Sequence, residues 1–236
     1  MNADRRKDWI ELRHHGPQIL PSLLRCDFGD LRGEVARLAA AGTRGLHLDV
    51  MDGHFVPNLT YGMPIVEGLA NHTDMPLDVH LMITDPVTFA EPMVRAGASM
   101  LTFHVEAAEN ADAVRRTVEH YRSLGVGVGI AVNPDTSLDG VRSVIDDVDM
   151  VLIMSVQAGF GGQSFRDNAV QRIAQIRRWR SDVLIEVDGG IDPQTIGRCR
   201  DAGCDWFVVG SAIFGQTDYA AAIAELETKI TDGAGS

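Results

Sequence analysis

Short runs of Val, Ile and Leu alternate along the chain with longer stretches whose apolar residues recur at i, i+3, i+4 and i+7, and eight such pairs can be counted. The runs predict strands near Gln18 to Ser22, Gly45 to Asp49, Leu77 to Met82, Met100 to His104, Gly127 to Val132, Met150 to Met154, Leu184 to Asp188 and Trp206 to Val209. The stretches between them predict helices with one buried face, as in Leu31, Val35 and Leu38, in Val114, Val118 and Tyr121, or in Ile223, Leu226 and Ile230. Three of these stretches end in Ala-Gly (Ala41-Gly42, Ala96-Gly97, Ala202-Gly203), a C-terminal stop before the next strand. Strand starts fall about 22 to 34 residues apart, the length of a strand-helix-strand step, so the sheet is expected to be parallel. Eight nearly uniform units, with no G-x-G-x-x-G after the first strand, favour a closed (β/α)8 barrel over an open doubly wound sheet. No linker or low-complexity stretch divides the chain. The barrel is placed at 17–231, between a charged N-terminal extension, 1–16, and a short tail, 232–236.

The 236 residues are 45% hydrophobic and 23% charged, which fits a globular domain with a sizeable core. Lys and Arg total 21 against 33 Asp and Glu, and the resulting net charge of -12 argues against nucleic acid or anionic membranes as partners. A small anionic substrate is not excluded, because backbone N–H groups can oppose the global field at one site. The three cysteines, Cys26, Cys199 and Cys204, show no C-x-x-C spacing and point to a reducing compartment. The charged N-terminus lacks the apolar core of a signal peptide, and no run of about 18 apolar residues occurs. A cytoplasmic location is the expectation.

In such a barrel the chemistry sits at the C-terminal ends of the strands. In the second strand His47 and Asp49 share a face, and their neighbours Leu46 and Leu48 face the helices, which puts the polar pair inside. The same alternation turns His80 inward from the third strand and Asp188 inward at the end of the seventh. Two imidazoles and two carboxylates converging on one barrel mouth suit one borderline divalent ion such as zinc, iron, manganese or cobalt. Glycine-rich segments follow strands six, seven and eight: Gly159-Phe160-Gly161-Gly162-Gln163, Gly189-Gly190 and Gly210-Ser211. Glycines let backbone N–H groups approach an anion, and Ser211 is expected to cap a short helix aimed at a phosphate. Met51, Met82 and Met154, at or just beyond strand ends, could form an apolar collar around the metal site. His54, Asn58, His104 and Glu106 are read as hydrogen-bonded loop support with no chemical role.

The strings HLDVMDGHFVPN (His47 to Asn58), LDVHLM (Leu77 to Met82), GFGGQSF (Gly159 to Phe165), EVDGGI (Glu186 to Ile191) and GSAIFG (Gly210 to Gly215) resemble the ribulose-phosphate 3-epimerase family over about Ile19 to Leu226. The resemblance implies a TIM barrel of the ribulose-phosphate-binding type that interconverts D-ribulose 5-phosphate and D-xylulose 5-phosphate in the pentose phosphate pathway. It implies metal ligands at His47, Asp49, His80 and Asp188, acid/base carboxylates at Asp49 and Asp188, and a substrate-contacting serine at Ser22. It also implies phosphate loops at Gly161, Gly162, Gly189, Gly190, Gly210 and Ser211, no organic cofactor and a homo-oligomer. Two departures stand out. Gln157-Ala158 precedes Gly159 where the family usually ends in proline, which removes a preset φ from the sixth loop. Arg25-Cys26 replaces the usual small pair after Ser22, placing a large cation near the mouth.

Inverting carbon 3 of a 2-ketose requires proton removal on one face and delivery on the other through an enediolate, which two carboxylates from separate strands can perform. A six-carbon substrate such as allulose 6-phosphate remains an alternative. A barrel decarboxylase of the orotidine phosphate type is expected to carry Asp-x-Lys-x-x-Asp at strand three, and His80 occupies the lysine position. A noncatalytic phosphosugar-binding barrel is expected to have lost an acid/base carboxylate, and both are present.

Overall fold

The computed structural model describes residues 6–231, so the tail at 232–236 lies outside the described residues. Eight strands, β1 (Gln18–Pro21), β2 (Leu46–Met51), β3 (Leu77–Met82), β4 (Met100–His104), β5 (Gly127–Val132), β6 (Met150–Met154), β7 (Leu184–Asp188) and β8 (Trp206–Val209), form one parallel sheet in the order β1-β8-β7-β6-β5-β4-β3-β2. Its two edges meet where Ser22 bridges His47, and this bridge closes the sheet into the expected barrel. Ser22 thus stands just beyond β1, and β2 runs on to Met51, small shifts of the kind strand ends commonly show.

Period-two alternation assigns the two sides of the wall. Leu46, Leu48, Val79, Leu81, Ile185 and Val187 belong to the apolar layer between sheet and helices. Leu20, Met100, Met150, Leu152, Leu184 and Trp206 fill the barrel itself. The outer layer is completed by helices that include α2 (Leu31–Ala40), α3 (Met63–Ala70), α4 (Pro86–Ala96), α5 (Ala111–Ser123), α6 (Asp139–Arg142), α7 (Asn168–Trp179), α8 (Ile196–Asp201), α9 (Ser211–Phe214) and α10 (Tyr219–Thr231), with α1 (Arg6–His14) preceding β1. Side-chain caps at Asp30, Asp85 and Asn110 start α2, α4 and α5 by accepting the N–H of Gly33, Thr88 and Ala113. No helix among the described residues is long and apolar enough to cross a membrane.

Helix α1 lies in the segment that the sequence marks as a charged extension, yet Trp9 and Leu12 within it are buried. Trp9 joins the interior cluster with Leu20, Met100, Met150 and Trp206. Its indole nitrogen sits where a Cβ on Gly127 would approach within 2.6 Å, and Leu12 stands 3.0 Å from the equivalent point on Gly45. Gly127 opens β5 and Gly45 immediately precedes β2, so α1 plugs the floor of the barrel. The opposite end is left for the site.

Candidate active site

Three strands supply the cluster. His47 and Asp49 from β2, His80 from β3 and Asp188 from β7 bring one ligand atom each to within 4.8 Å of one another. His47, Asp49 and His80 are buried, while Asp188 is partly exposed at the edge of the cavity. His47 Nδ1 lies 2.6 Å from Asp78 Oδ2, which orients the ring so that Nε2 faces the cluster. That Nε2 is buried without a hydrogen-bond partner, although Asp49 Oδ1 is 3.4 Å away. His80 Nδ1 lies 3.2 Å from Asp49 Oδ1, and its Nε2 is 2.8 Å from His104 Nε2. His104 Nδ1 is in turn 3.1 Å from Glu106 Oε2. A chain in which His80 Nε2–H donates to His104, and His104 Nδ1–H donates to Glu106, leaves a lone pair on His80 Nδ1 facing the cluster. Asp49 Oδ2 accepts a 2.5 Å hydrogen bond from Ser22 Oγ, so the serine that closes the barrel also holds this carboxylate.

The electrostatics divide the two carboxylates. Burial opposes the charge on Asp49, but the adjacent His47 and His80 hold its carboxyl far below the usual range. Burial together with the charge of Asp49 pushes Asp188 up to about 7. On His47 burial works against the proton, yet Asp49 and Asp78 keep its pKa well above the ordinary histidine value. Burial brings His80 down to about 4. Glu186, wholly buried with neither oxygen hydrogen-bonded, is raised to about 8 by burial and by Asp78.

Above the cluster a cavity of about 390 Å³ opens at the carboxyl ends of the strands, a size in the usual range for small-molecule sites. Ser22, Asp49, Asp188, Met51, Met82 and Met154 line its lower part. Gly159, Gly161, Gly162, Gly189, Gly190, Gly210 and Ser211 line its rim, so all of the residues singled out from sequence reach the cluster or the cavity. Gly190 has φ of 59°, and a Cβ there would fall 2.6 Å from the backbone nitrogen of Phe165, which welds the loop after β7 to the loop after β6. One detail is corrected. Gly210, not Ser211, occupies the cap position of α9, and no side chain caps it; Ser211 is its first helical residue. The loop after β6, without its proline, is tied by Asn58 Nδ2 donating to the Gly159 carbonyl at 2.8 Å and by Asn133 Oδ1 accepting from the Ala158 N–H at 3.0 Å.

Sequence reasoning left Asp78, Glu186 and Asn133 without a role and read His104 and Glu106 as loop support. His104 is instead inside the barrel, its ring stacked on His80 at 5.0 Å. Asp78 and Glu186 each precede a chosen residue by two positions, and that spacing was the available signal for both.

Fold and cavity together define a (β/α)8 barrel with carboxylates and imidazoles gathered beneath glycine-lined loops. Residues 18–214 match the model of the ribulose-phosphate 3 epimerase family. Ribulose-phosphate 3-epimerase of Mycobacterium tuberculosis is 45% identical over 215 residues, covering 89% of this chain and 92% of that one. The enzyme of the same name in Bacillus subtilis is 41% identical over 214 residues, covering 89% and 97%. The chain belongs to the ribulose-phosphate 3-epimerase family and is an isomerase, an epimerase. Among solved structures, KGPDC from Streptococcus mutans in complex with D-R5P superposes with a TM-score of 0.70 over 92% of this chain and 98% of that one. At 15% identity that likeness is one of fold.

Proposed function

We propose that the protein interconverts D-ribulose 5-phosphate and D-xylulose 5-phosphate by taking the carbon 3 proton from one face and returning a proton to the other through an enediolate. The observation that carries this reading is the pair Asp49 and Asp188, brought by separate strands to the floor of one cavity beside His47 and His80. Such a pair lets one carboxylate take the carbon 3 proton while a proton returns from the side of the other, and the two exchange roles in the reverse direction. Ser22 Oγ, bonded to Asp49 Oδ2, fixes the direction in which that carboxylate works. The three methionines keep bulk water from the reacting carbon, and backbone N–H groups of the glycine loops receive the phosphate. No organic cofactor is needed.

A divalent ion fits the cluster, since His47 Nε2 is an orphaned buried nitrogen and the donor set mixes two imidazoles with two carboxylates. Bound by His47, Asp49, His80 and Asp188, such an ion supplies a Lewis acid for the negative charge that develops on the substrate oxygens. Asp78 and His104 hold the two imidazoles in the orientation that ligation requires. The histidine at position 80, where a barrel decarboxylase needs lysine, sets the decarboxylase reading aside.

Metal analysis of purified protein, coupled to an epimerase assay with five-carbon and six-carbon ketose phosphates, tests the proposal. Chelation is expected to abolish turnover and one equivalent of divalent ion to restore it. Full activity after chelation would refute the metal site. A higher kcat/KM for allulose 6-phosphate than for ribulose 5-phosphate would refute the pentose assignment.

A further inference from the structure

We infer that Arg25 is a substrate-binding residue of this cavity, its guanidinium gripping the terminal phosphate of the sugar between the loops that follow β6 and β8. The inference rests on the phosphosugar reading above and adds to it a side-chain cation in a pocket otherwise lined by glycine backbone.

Charge makes the first argument. Arg25 is the only cationic side chain lining the cavity among the described residues, whereas Asp49, Asp188 and Asp192 line it too. A phosphate dianion entering a protein of net charge -12 therefore meets carboxylates both at long range and inside the pocket. A local cation reverses the sign of the field where the phosphate must come to rest.

Geometry makes the second. A Cβ on Gly161 would fall 2.8 Å from Arg25 Cδ and 3.8 Å from its Nε, and a Cβ on Gly210 would fall 2.9 Å from its Cγ. The missing side chains of two glycines thus form the slot in which the aliphatic stem of Arg25 lies. The stem is held by both loops, while its head makes no hydrogen bond or ion pair with any described residue. Arg37, Arg166, Arg177 and Arg198, by contrast, all pair with carboxylates. A guanidinium with an ordered stem and an unused fork is prearranged for a bidentate oxyanion.

Connectivity makes the third. Ser22 caps the single 3-10 turn Leu23–Arg25, its Oγ accepting from the Leu24 N–H at 3.3 Å while donating to Asp49. One rigid turn therefore joins the acid/base carboxylate to the proposed phosphate cation, and fixes the distance between the two ends of the substrate.

The test measures inorganic phosphate binding by calorimetry and epimerase kinetics on the metal-loaded wild type, Arg25→Ala and Arg25→Lys, with metal content and melting temperature as checks of integrity. Arg25→Ala is expected to weaken phosphate roughly 10- to 100-fold, and to lower kcat/KM by a similar factor that resides in KM. Arg25→Lys, which keeps the charge and loses the fork, is expected to fall between. The salt dependence of kcat/KM flattens in the alanine variant. Phosphate affinity and KM both within twofold of wild type in Arg25→Ala would overturn the proposal. A kcat loss with unchanged phosphate affinity would overturn it as well, by pointing to a structural role. Loss of phosphate binding in Arg25→Ala, found together with a wild type inactive on ribulose 5-phosphate, would uphold the phosphate grip and refute the pentose reading alone.

Discussion

Loading a divalent ion into chelated protein should expel protons, and the structure gives their number. In the metal-free cluster His47 carries a proton up to a pH well above 6.5, held there by Asp49 and Asp78 against the effect of burial. Asp188 carries one up to about pH 7, whereas His80, brought down to about 4, is neutral above pH 5. Asp49 is already ionised. Metal ligation requires a free His47 Nε2 and an ionised Asp188, so uptake releases about two protons at pH 6 and fewer once Asp188 ionises on its own past about pH 7. Protons compete with the ion, so affinity rises with pH, by roughly 100-fold per unit near pH 6 and less steeply once pH passes about 7. Each proton corresponds to about 1.4 kcal/mol per pH unit. Calorimetric titration of chelated protein with zinc or manganese, in two buffers of different ionisation enthalpy at each pH, measures the count. A proton release near zero at pH 6, or an affinity flat from pH 5.5 to 8, would refute the assignment of His47 and Asp188 as ligands of one ion.

Three further outcomes are expected. Asp188→Asn, with metal content verified on the same sample, should stop epimerisation while Asp49 still exchanges the carbon 3 proton of one epimer with deuterated solvent; turnover within about tenfold of wild type, worth only ~1.4 kcal/mol of barrier, would show that Asp188 is not an essential acid/base. His104→Ala, by leaving His80 Nε2 without its partner, should weaken metal affinity roughly 10- to 100-fold, measured by chelator competition, and an unchanged affinity would show that the ring only fills space. Trp9→Ala should cost about 3–5 kcal/mol in denaturant unfolding, as a buried indole is removed from the barrel floor; a loss under about 1 kcal/mol would show that α1 is not part of the core.

The barrel was legible because its walls have two faces and the sequence writes both. Leu46, Leu48, Val79 and Leu81 mark the outer face, so His47, Asp49 and His80 between them had to point inward, and they do. The same rule reaches Asp78 and Glu186, but a carboxylate gains a meaning only when its neighbour on another strand is known, and no spacing in the chain reveals the register that sets Asp78 against His47 at 2.6 Å. His104 was hidden for another reason. At the end of β4 it is as consistent with a loop as with the interior, and only the parallel pairing of β3 with β4 brings it against His80. Trp9 and Leu12 were masked by their surroundings, since Arg, Lys, Asp and Glu dominate the nine residues of α1 and leave two core positions with little periodic signal. The capping role expected of Ser211 failed locally. Gly210 can take the cap conformation, which moves Ser211 one position into the helix.

The charges inside the barrel bear on the proposal that Asp49 and Asp188 each serve as both ligand and acid/base. Without a cation, burial and the charge of Asp49 raise Asp188 to about 7, and burial with the charge of Asp78 raises Glu186 to about 8. A divalent ion in the cluster balances two carboxylates, and His47, relieved of its second proton, still donates Nδ1–H to Asp78. Such an ion would offset the charge of the two carboxylates. Splitting the roles among more residues would add buried charge to an interior that already holds Asp78 and Glu186. The proposed sharing of Asp49 and Asp188 answers the buried electrostatics and the need for two-sided proton transfer together.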